Sequence, residues 1–259
     1  MAFTDFEGFR LHYELTGDRS LPVLVLSNSL GANLAMWEPQ LAALAPRFSI
    51  LRYDNRGHGQ SSAPAGPYAI EDLGRDVLHL LDALGIERAS FCGLSLGGVV
   101  GQWLGIHAGH RLNKLILANT AAKIGVPEVW NTRIELVLRE GLKPVIPGTL
   151  ERWFTPAFHA RQPDVILATA AMIETTDVPA YAACCAAIRD ADFRLSLSKM
   201  QTPALVLSGA YDPVTPPQDG RYLADNIPGA HYVELAAAHL SNTEDAAGFN
   251  AALLRFLAE

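Results

Sequence analysis

A rhythm constrains this chain more than any single residue: short apolar runs alternate with stretches of helical periodicity. "PVLVLSNS" (22–29) is an unbroken apolar run of the kind that fills a strand buried on both faces. "MWEPQLAALAP" follows with helical spacing at Trp37, Leu41 and Leu44, and closes at Pro46. "FSILRYDNRGHGQSS" is a second buried strand entering a glycine-rich turn. "AIEDLGRDVLHLLDALGI" is amphipathic, with Leu73, Val77, Leu80, Leu81 and Leu84 on one side and Gly85 beyond its end. "RASFCGLS" is again a strand, "LGGVVGQWLGIHAG" a helix and "LNKLILANT" a strand. Strand and helix alternating in this way imply a mostly parallel sheet covered by helices on both faces.

The rhythm stops between about Thr120 and Leu197. That segment holds helix-like pieces, among them "EVWNTRIELVLREG", "PDVILATAAMIETT" and "VPAYAACCAAIRDADF", and no convincing buried strand. It resumes with the strands "PALVLSGAYD" and "AHYVELAAAH" and the helices "PPQDGRYLADNI" and "DAAGFNAALLRFLA". The expected architecture is an α/β core, residues 1–119 and 198–259, interrupted by a helical cap over 120–197.

At 259 residues the chain suits one large core, and 49% hydrophobic against 18% charged residues is the balance such a core needs. The net charge of −7, with no run of Lys or Arg, argues against nucleic acid or an anionic membrane as partner. An anionic substrate would therefore need local cations to hold it. Cys92, Cys184 and Cys185 are odd in number and lack metal-type spacing, which reads as buried thiols in a reducing cytoplasm. "MAFTDFEGFRLHYEL" carries acidic residues and alternates like a strand, unlike a secretory leader. No apolar run approaches the length of a membrane span, so a cytoplasmic protein is expected.

Chemistry concentrates where a strand meets a helix. Gly93-Leu94-Ser95-Leu96-Gly97 is G-x-S-x-G in a strand–turn–helix setting, where a sharp turn lifts a serine hydroxyl clear of the sheet. A serine hydroxyl is a weak nucleophile, so it needs a base, and the base needs an orienting acid. For this architecture the chain order is Ser, acid, His. His239 lies in the loop after a strand, where functional residues of an open α/β sheet gather, whereas His231 lies inside that strand. "LVLSGAYDPVTPP" ends a strand and places Asp212 in the following turn, while Asp219 and Asp225 fall in the next helix. The expected catalytic set is Ser95, Asp212 and His239. An oxyanion hole would pair the Leu96 N–H with one from the loop "SNSLGANLAMW"; Leu30 is the choice, with Ser29 as the alternative.

Along nearly its whole length the chain resembles the α/β-hydrolase fold superfamily. "YDNRGHGQSS" looks like that family's D-x-R-G-x-G-x-S turn, in which Asp54, Arg56 and His58 are taken as structural. Most members carry His-Gly in the oxyanion loop, where this chain has Asn28-Ser29. "SNSLG", with "MWEPQ", "YDNRGHGQSS" and "GLSLGG", is similar to the 3-oxoadipate enol-lactonases of aromatic catabolism, and the likeness extends into "VWNTRIELVLREG".

The resemblance implies a serine hydrolase with no cofactor and no metal, opening a small carboxylated enol-lactone. Such a substrate needs a cation in the cap. Trp130 and Arg133 stand at i, i+3 on one helix face and are the first choice for substrate binding; Arg139, Lys143 and Arg152 come second. Trp153 and Phe154 either close the pocket or pack the cap. The rival readings are a carboxylesterase, a carbon–carbon bond hydrolase or a cofactor-free perhydrolase of the same fold. A ligand-binding module with little turnover is the rival of another class.

Overall fold

The computed structural model describes residues 2–6 and 8–259. Eight strands form one sheet in the spatial order β1-β2-β4-β3-β5-β6-β7-β8. The alternating N-terminal stretch resolves into two strands, β1 (Ala2–Phe6) and β2 (Phe9–Thr16), paired antiparallel at one edge. β2 also runs antiparallel to β4 (Ser49–Tyr53). From β4 onward every pairing is parallel: with β3 (Val23–Ser27), β5 (Ala89–Leu94), β6 (Leu112–Ala118), β7 (Ala204–Gly209) and β8 (His231–Leu235).

The central strands are apolar at consecutive positions because successive side chains enter opposite layers. Val25, Phe91, Leu115, Leu117 and Val206 face one layer, built with α2 (Ile70–Ala83), α3 (Leu96–His107) and, further along, α9 (Pro217–Asn226). Leu24, Leu26, Cys92, Leu94, Ile116, Leu205 and Leu207 face the other, against α1 (Glu38–Leu44) and α11 (Ala246–Ala258). Cys92, Cys184 and Cys185 are free and buried; burial pushes their thiols up, that of Cys185 to about 12. They are packing residues rather than nucleophiles.

Between β6 and β7 the chain forms helices and no strand among the described residues: α4 (Pro127–Glu140), α5 (Ile146–Trp153), α6 (Pro156–Arg161), α7 (Pro163–Glu174) and α8 (Val178–Asp190). α4, α7 and α8 stand where periodicity predicts helices. α5 and α6 are too short to display a period; proline in the first turn of each and the Thr155 side chain capping α6 define them instead. α4 packs on α8 and α5 on α7. A last short helix, α10 (Ser241–Glu244), follows β8. No helix among the described residues is long and apolar enough to cross a membrane.

Candidate active site

Four strand ends and the helical insert converge on one small cavity. Its walls include Ser95 after β5, His239 after β8, Ser29 and Leu30 after β3, Val214 after β7, and Trp130, Arg133, Thr149, Arg152, Trp153 and Tyr181 from the insert. This is where ligands bind in open α/β sheets, beyond the carboxyl ends of the strands.

Ser95 occupies a backbone conformation (φ 57°, ψ −113°) that non-glycine residues rarely adopt. The turn holds together only because its neighbours lack side chains. A Cβ on Gly93 would lie 2.0 Å from the Gly97 carbonyl oxygen, and one on Gly97 would lie 2.2 Å from that of Ser27. The Ser95 N–H donates to the Ala118 carbonyl at 2.9 Å, tying the turn to β6. α3 starts at the next residue, so its N-terminal amides and dipole sit beside the hydroxyl.

The backbone amides of these two loops differ in what occupies them. In the loop after β3, the Ser29 N–H donates to Met36 Sδ at 3.3 Å and the Gly31 N–H to His58 Nε2 at 3.0 Å. In the elbow, the Gly97 N–H donates to the Asn28 carbonyl at 3.0 Å. The amides of Leu30 and Leu96 carry no such bond. Asn28, which stands where the resemblance expects histidine, is turned into the core. Its amide bonds the Tyr53 carbonyl at 2.7 Å and receives the Trp37 indole N–H at 2.9 Å.

His58 is fully enclosed, and burial drives its pKa down, against the Arg56 carbonyl and the charges of Asp54 and Asp177. Neutral, with Nδ1–H donating to the Arg56 carbonyl at 3.0 Å, it presents Nε2 to Gly31 as an acceptor. Asp54 accepts the Leu34 and Gln60 amides and pairs with His12 Nδ1 at 2.7 Å. Arg56 forks onto Asp76. All three therefore brace loops and none lines the cavity.

Asp212 and His239 meet at 2.8 Å, Oδ2 to Nδ1, both buried. Burial pushes the Asp212 carboxyl up. The opposing charge and hydrogen bond of His239, with bonds from Asn119 and the Thr215 amide, outweigh it, and the group is held below the ordinary carboxylate value. Its Oδ1 accepts the Val214 and Thr215 amides, and its Oδ2 also accepts the Thr215 hydroxyl at 2.8 Å. The rivals are elsewhere: Asp225 is exposed, Asp219 lies on α9, and His231 is exposed on β8 against Phe256. The His239 loop is docked to the insert as well, through the Leu240 N–H to the Trp153 carbonyl and through Glu244, which accepts from both Ala238 and Thr155.

In the insert, Arg133 and Arg152 both line the cavity. Arg133 donates to the Thr149 hydroxyl at 2.6 Å, lies 5.8 Å from the Tyr181 ring centre, and keeps a buried Nε without a hydrogen-bond partner. The Arg152 pKa is lowered by burial first and by the neighbouring Arg133 charge second. Among the described residues, neither guanidinium makes an ion pair with a carboxylate. Trp130 is a wall fixed by its indole N–H to the Ile124 carbonyl at 2.7 Å. Trp153 lines the cavity with its ring 6.3 Å from that of His239, whereas Phe154 stacks on Phe158 inside the insert. Arg139 pairs with Glu140 and Lys143 with Glu174 on the surface. An outer cavity of about 510 Å³ shares Ile124, Trp130, Arg133, Arg152 and Val214 with the inner one. No cluster of three or more His, Cys, Asp or Glu among the described residues is spaced to hold a metal ion.

Sequence reading missed the residues that join these parts: Asn119, Thr215, Tyr181 and Thr149. None stands in a motif. Only a polar residue at the end of the apolar run "LNKLILANT" hinted at Asn119.

Comparison with known proteins shows the family. Residues 22–246 match the family model described as the alpha/beta hydrolase fold. The chain is 44% identical over 243 residues to 3-oxoadipate enol-lactonase 2 of Acinetobacter baylyi, covering 94% of this chain and 91% of that protein. It is 38% identical, with the same coverage, to enol-lactonase 1 of that organism. The crystal structure of the enol-lactonase from Burkholderia xenovorans superposes with a TM-score of 0.98 at 46% identity, covering all of both chains.

Proposed function

The chain belongs to the α/β-hydrolase fold family, and on that footing we propose that it is a serine hydrolase opening a small carboxylated enol-lactone, 3-oxoadipate enol-lactone, to the open-chain oxo diacid. One observation carries the choice of substrate. Two guanidiniums without carboxylate partners face the same cavity as Ser95 and His239, in a protein whose net charge is −7. Leaving cations unpaired in a half-buried site is unfavourable unless a ligand completes them. A substrate carboxylate does so, and the two lactonase relatives act, by their names, on such a molecule.

The roles follow from position. His239, held in one orientation by Asp212, takes the Ser95 proton as Oγ attacks the lactone carbonyl. The Leu30 and Leu96 amides receive the tetrahedral oxyanion; losing one such donor typically costs about 3 to 4 kcal/mol of barrier. The ring C–O bond breaks, and the departing oxygen leaves as an enolate that becomes a ketone on taking up the proton from His239. Water, deprotonated by His239, then attacks the Ser95 ester and frees the second carboxylate. Arg133, with Arg152 beside it, clamps the carboxylate already present, and Trp130 and Trp153 flank the flat ring. The helical insert, residues 120–197, serves as the cap that carries this recognition.

The test is kcat/KM for 3-oxoadipate enol-lactone beside 4-nitrophenyl acetate. A strong preference for the anionic lactone is expected. Equal or better turnover of the neutral ester would overturn the substrate assignment and leave a general esterase.

A further inference from the structure

Asn119 stands at the end of β6 with φ 43°, one of two non-glycine residues in the left-handed region among those described; the other is Ser95. Asparagine tolerates that region better than most side chains, yet it is a conformation that contacts must hold. The side chain is fully buried and all of its hydrogen bonds go to the His–Asp pair and its loop. Its amide nitrogen donates to Asp212 Oδ2 at 3.0 Å, the same oxygen that meets His239. It also donates to the carbonyl of Ala238, the residue before His239, at 3.2 Å. Its Oδ1 accepts the Ser241 hydroxyl, two residues beyond His239, which fixes which way the amide points. The backbone N–H donates to the Leu207 carbonyl on β7 at 2.8 Å.

We propose that Asn119 is a positioning residue for the proton-transfer pair: one carboxamide holds the carboxylate of Asp212 and the backbone on both sides of His239 in a fixed mutual geometry. Two loops separated by 27 residues, one carrying the acid and one the base, have no sequence-local reason to keep a 2.8 Å contact. Asn119 is the third body that touches both, from a strand between β5, which delivers Ser95, and β7, which delivers Asp212. The strained φ is the geometric condition for the amide to reach both loops. The role rests on Ser95, Asp212 and His239 acting as proposed above.

Asn119→Gly removes the side chain while accepting the positive φ without strain, so it separates the hydrogen bonds from the backbone. Asn119→Asp keeps the shape but sets a second carboxylate beside the pair. Both would be assayed on 3-oxoadipate enol-lactone and on 4-nitrophenyl acetate, with Ser95→Ala as control and thermal midpoints alongside. In Asn119→Gly, kcat should fall roughly tenfold to a hundredfold on both substrates with little change in KM, the loss of a hydrogen bond to a charged group. In Asn119→Asp, the new carboxyl meets Asp212 Oδ2 where the amide N–H stood, 3.0 Å away, so the two share one proton, and kcat/KM should gain a fall at high pH where that proton is lost.

Wild-type kcat in Asn119→Gly, or a loss matched by the fraction unfolded, together with a wild-type pH profile in Asn119→Asp, overturns the role while the hydrolase reading stands. Full turnover by Ser95→Ala would instead overturn the hydrolase reading itself.

Discussion

The sheet side and the cap side of the cavity are built in opposite ways. On the sheet side the polar groups behind the cavity wall are committed within the protein: Asp212 accepts from five donors, counting His239, and His58 takes up the Gly31 amide. On the cap side two arginines stand together, one with a buried Nε unmet, and the Arg152 pKa is lowered by burial first and by the Arg133 charge second. The first arrangement is preorganised for bond making, where the geometry must not relax. The second is left incomplete for an anion to finish. On the proposed roles, chemistry and recognition reside on different parts of the chain, and substitutions should separate them.

The largest effect belongs to the sheet side. Ser95→Ala should lower kcat by roughly four to six orders of magnitude on any ester or lactone, with the fold intact. Residual turnover within tenfold of wild type would place the nucleophile elsewhere. Next is the cap: Arg133→Ala should raise KM for the anionic lactone about tenfold to a hundredfold while sparing the neutral ester, and Arg133→Ala/Arg152→Ala should exceed it. A proportional loss on both substrates would mean that the arginines shape the cap rather than bind charge, and the comparison between the two sides would fail.

The smallest effect probes how the oxyanion loop is braced. The His58 pKa is lowered on folding from its ordinary value of 6.5, so below that pH the unfolded chain binds the extra proton and the native state resists it. Stability attributable to His58 is therefore fully present above about pH 6.5 and declines as pH falls below it. His58→Gln offers an acceptor that does not titrate, and urea unfolding from pH 7.5 to 5.5 should show a shallower pH dependence than wild type. Parallel curves would remove His58 from that account.

The fold and the centre of the candidate site are legible because both rest on local signals. A period of two or 3.6 residues is written in neighbouring positions, and the run from Ala89 to Gly98 encodes strand, turn and helix within ten residues. Gly93 and Gly97 there are required by contacts of 2.0 and 2.2 Å that any side chain would meet. Asp212 and His239 were legible by chain order and strand ends. Trp130 and Arg133 came from helical spacing, but nothing local distinguished Arg152, which lines the cavity, from Arg139, which pairs on the surface.

Sequence by itself thus determined the sheet, the sharp turn and the residues at the strand ends, because torsional preference and periodic burial act over a few residues. Tertiary structure alone decided how they meet. Asn119 reaches Asp212 across 93 positions, Asn242 reaches Gln40 across 202, and Arg133 finds Thr149 on another helix of the cap. Such bonds form only once packing has brought distant backbone into register, since a side-chain amide or guanidinium has many possible partners and only the folded geometry selects among them.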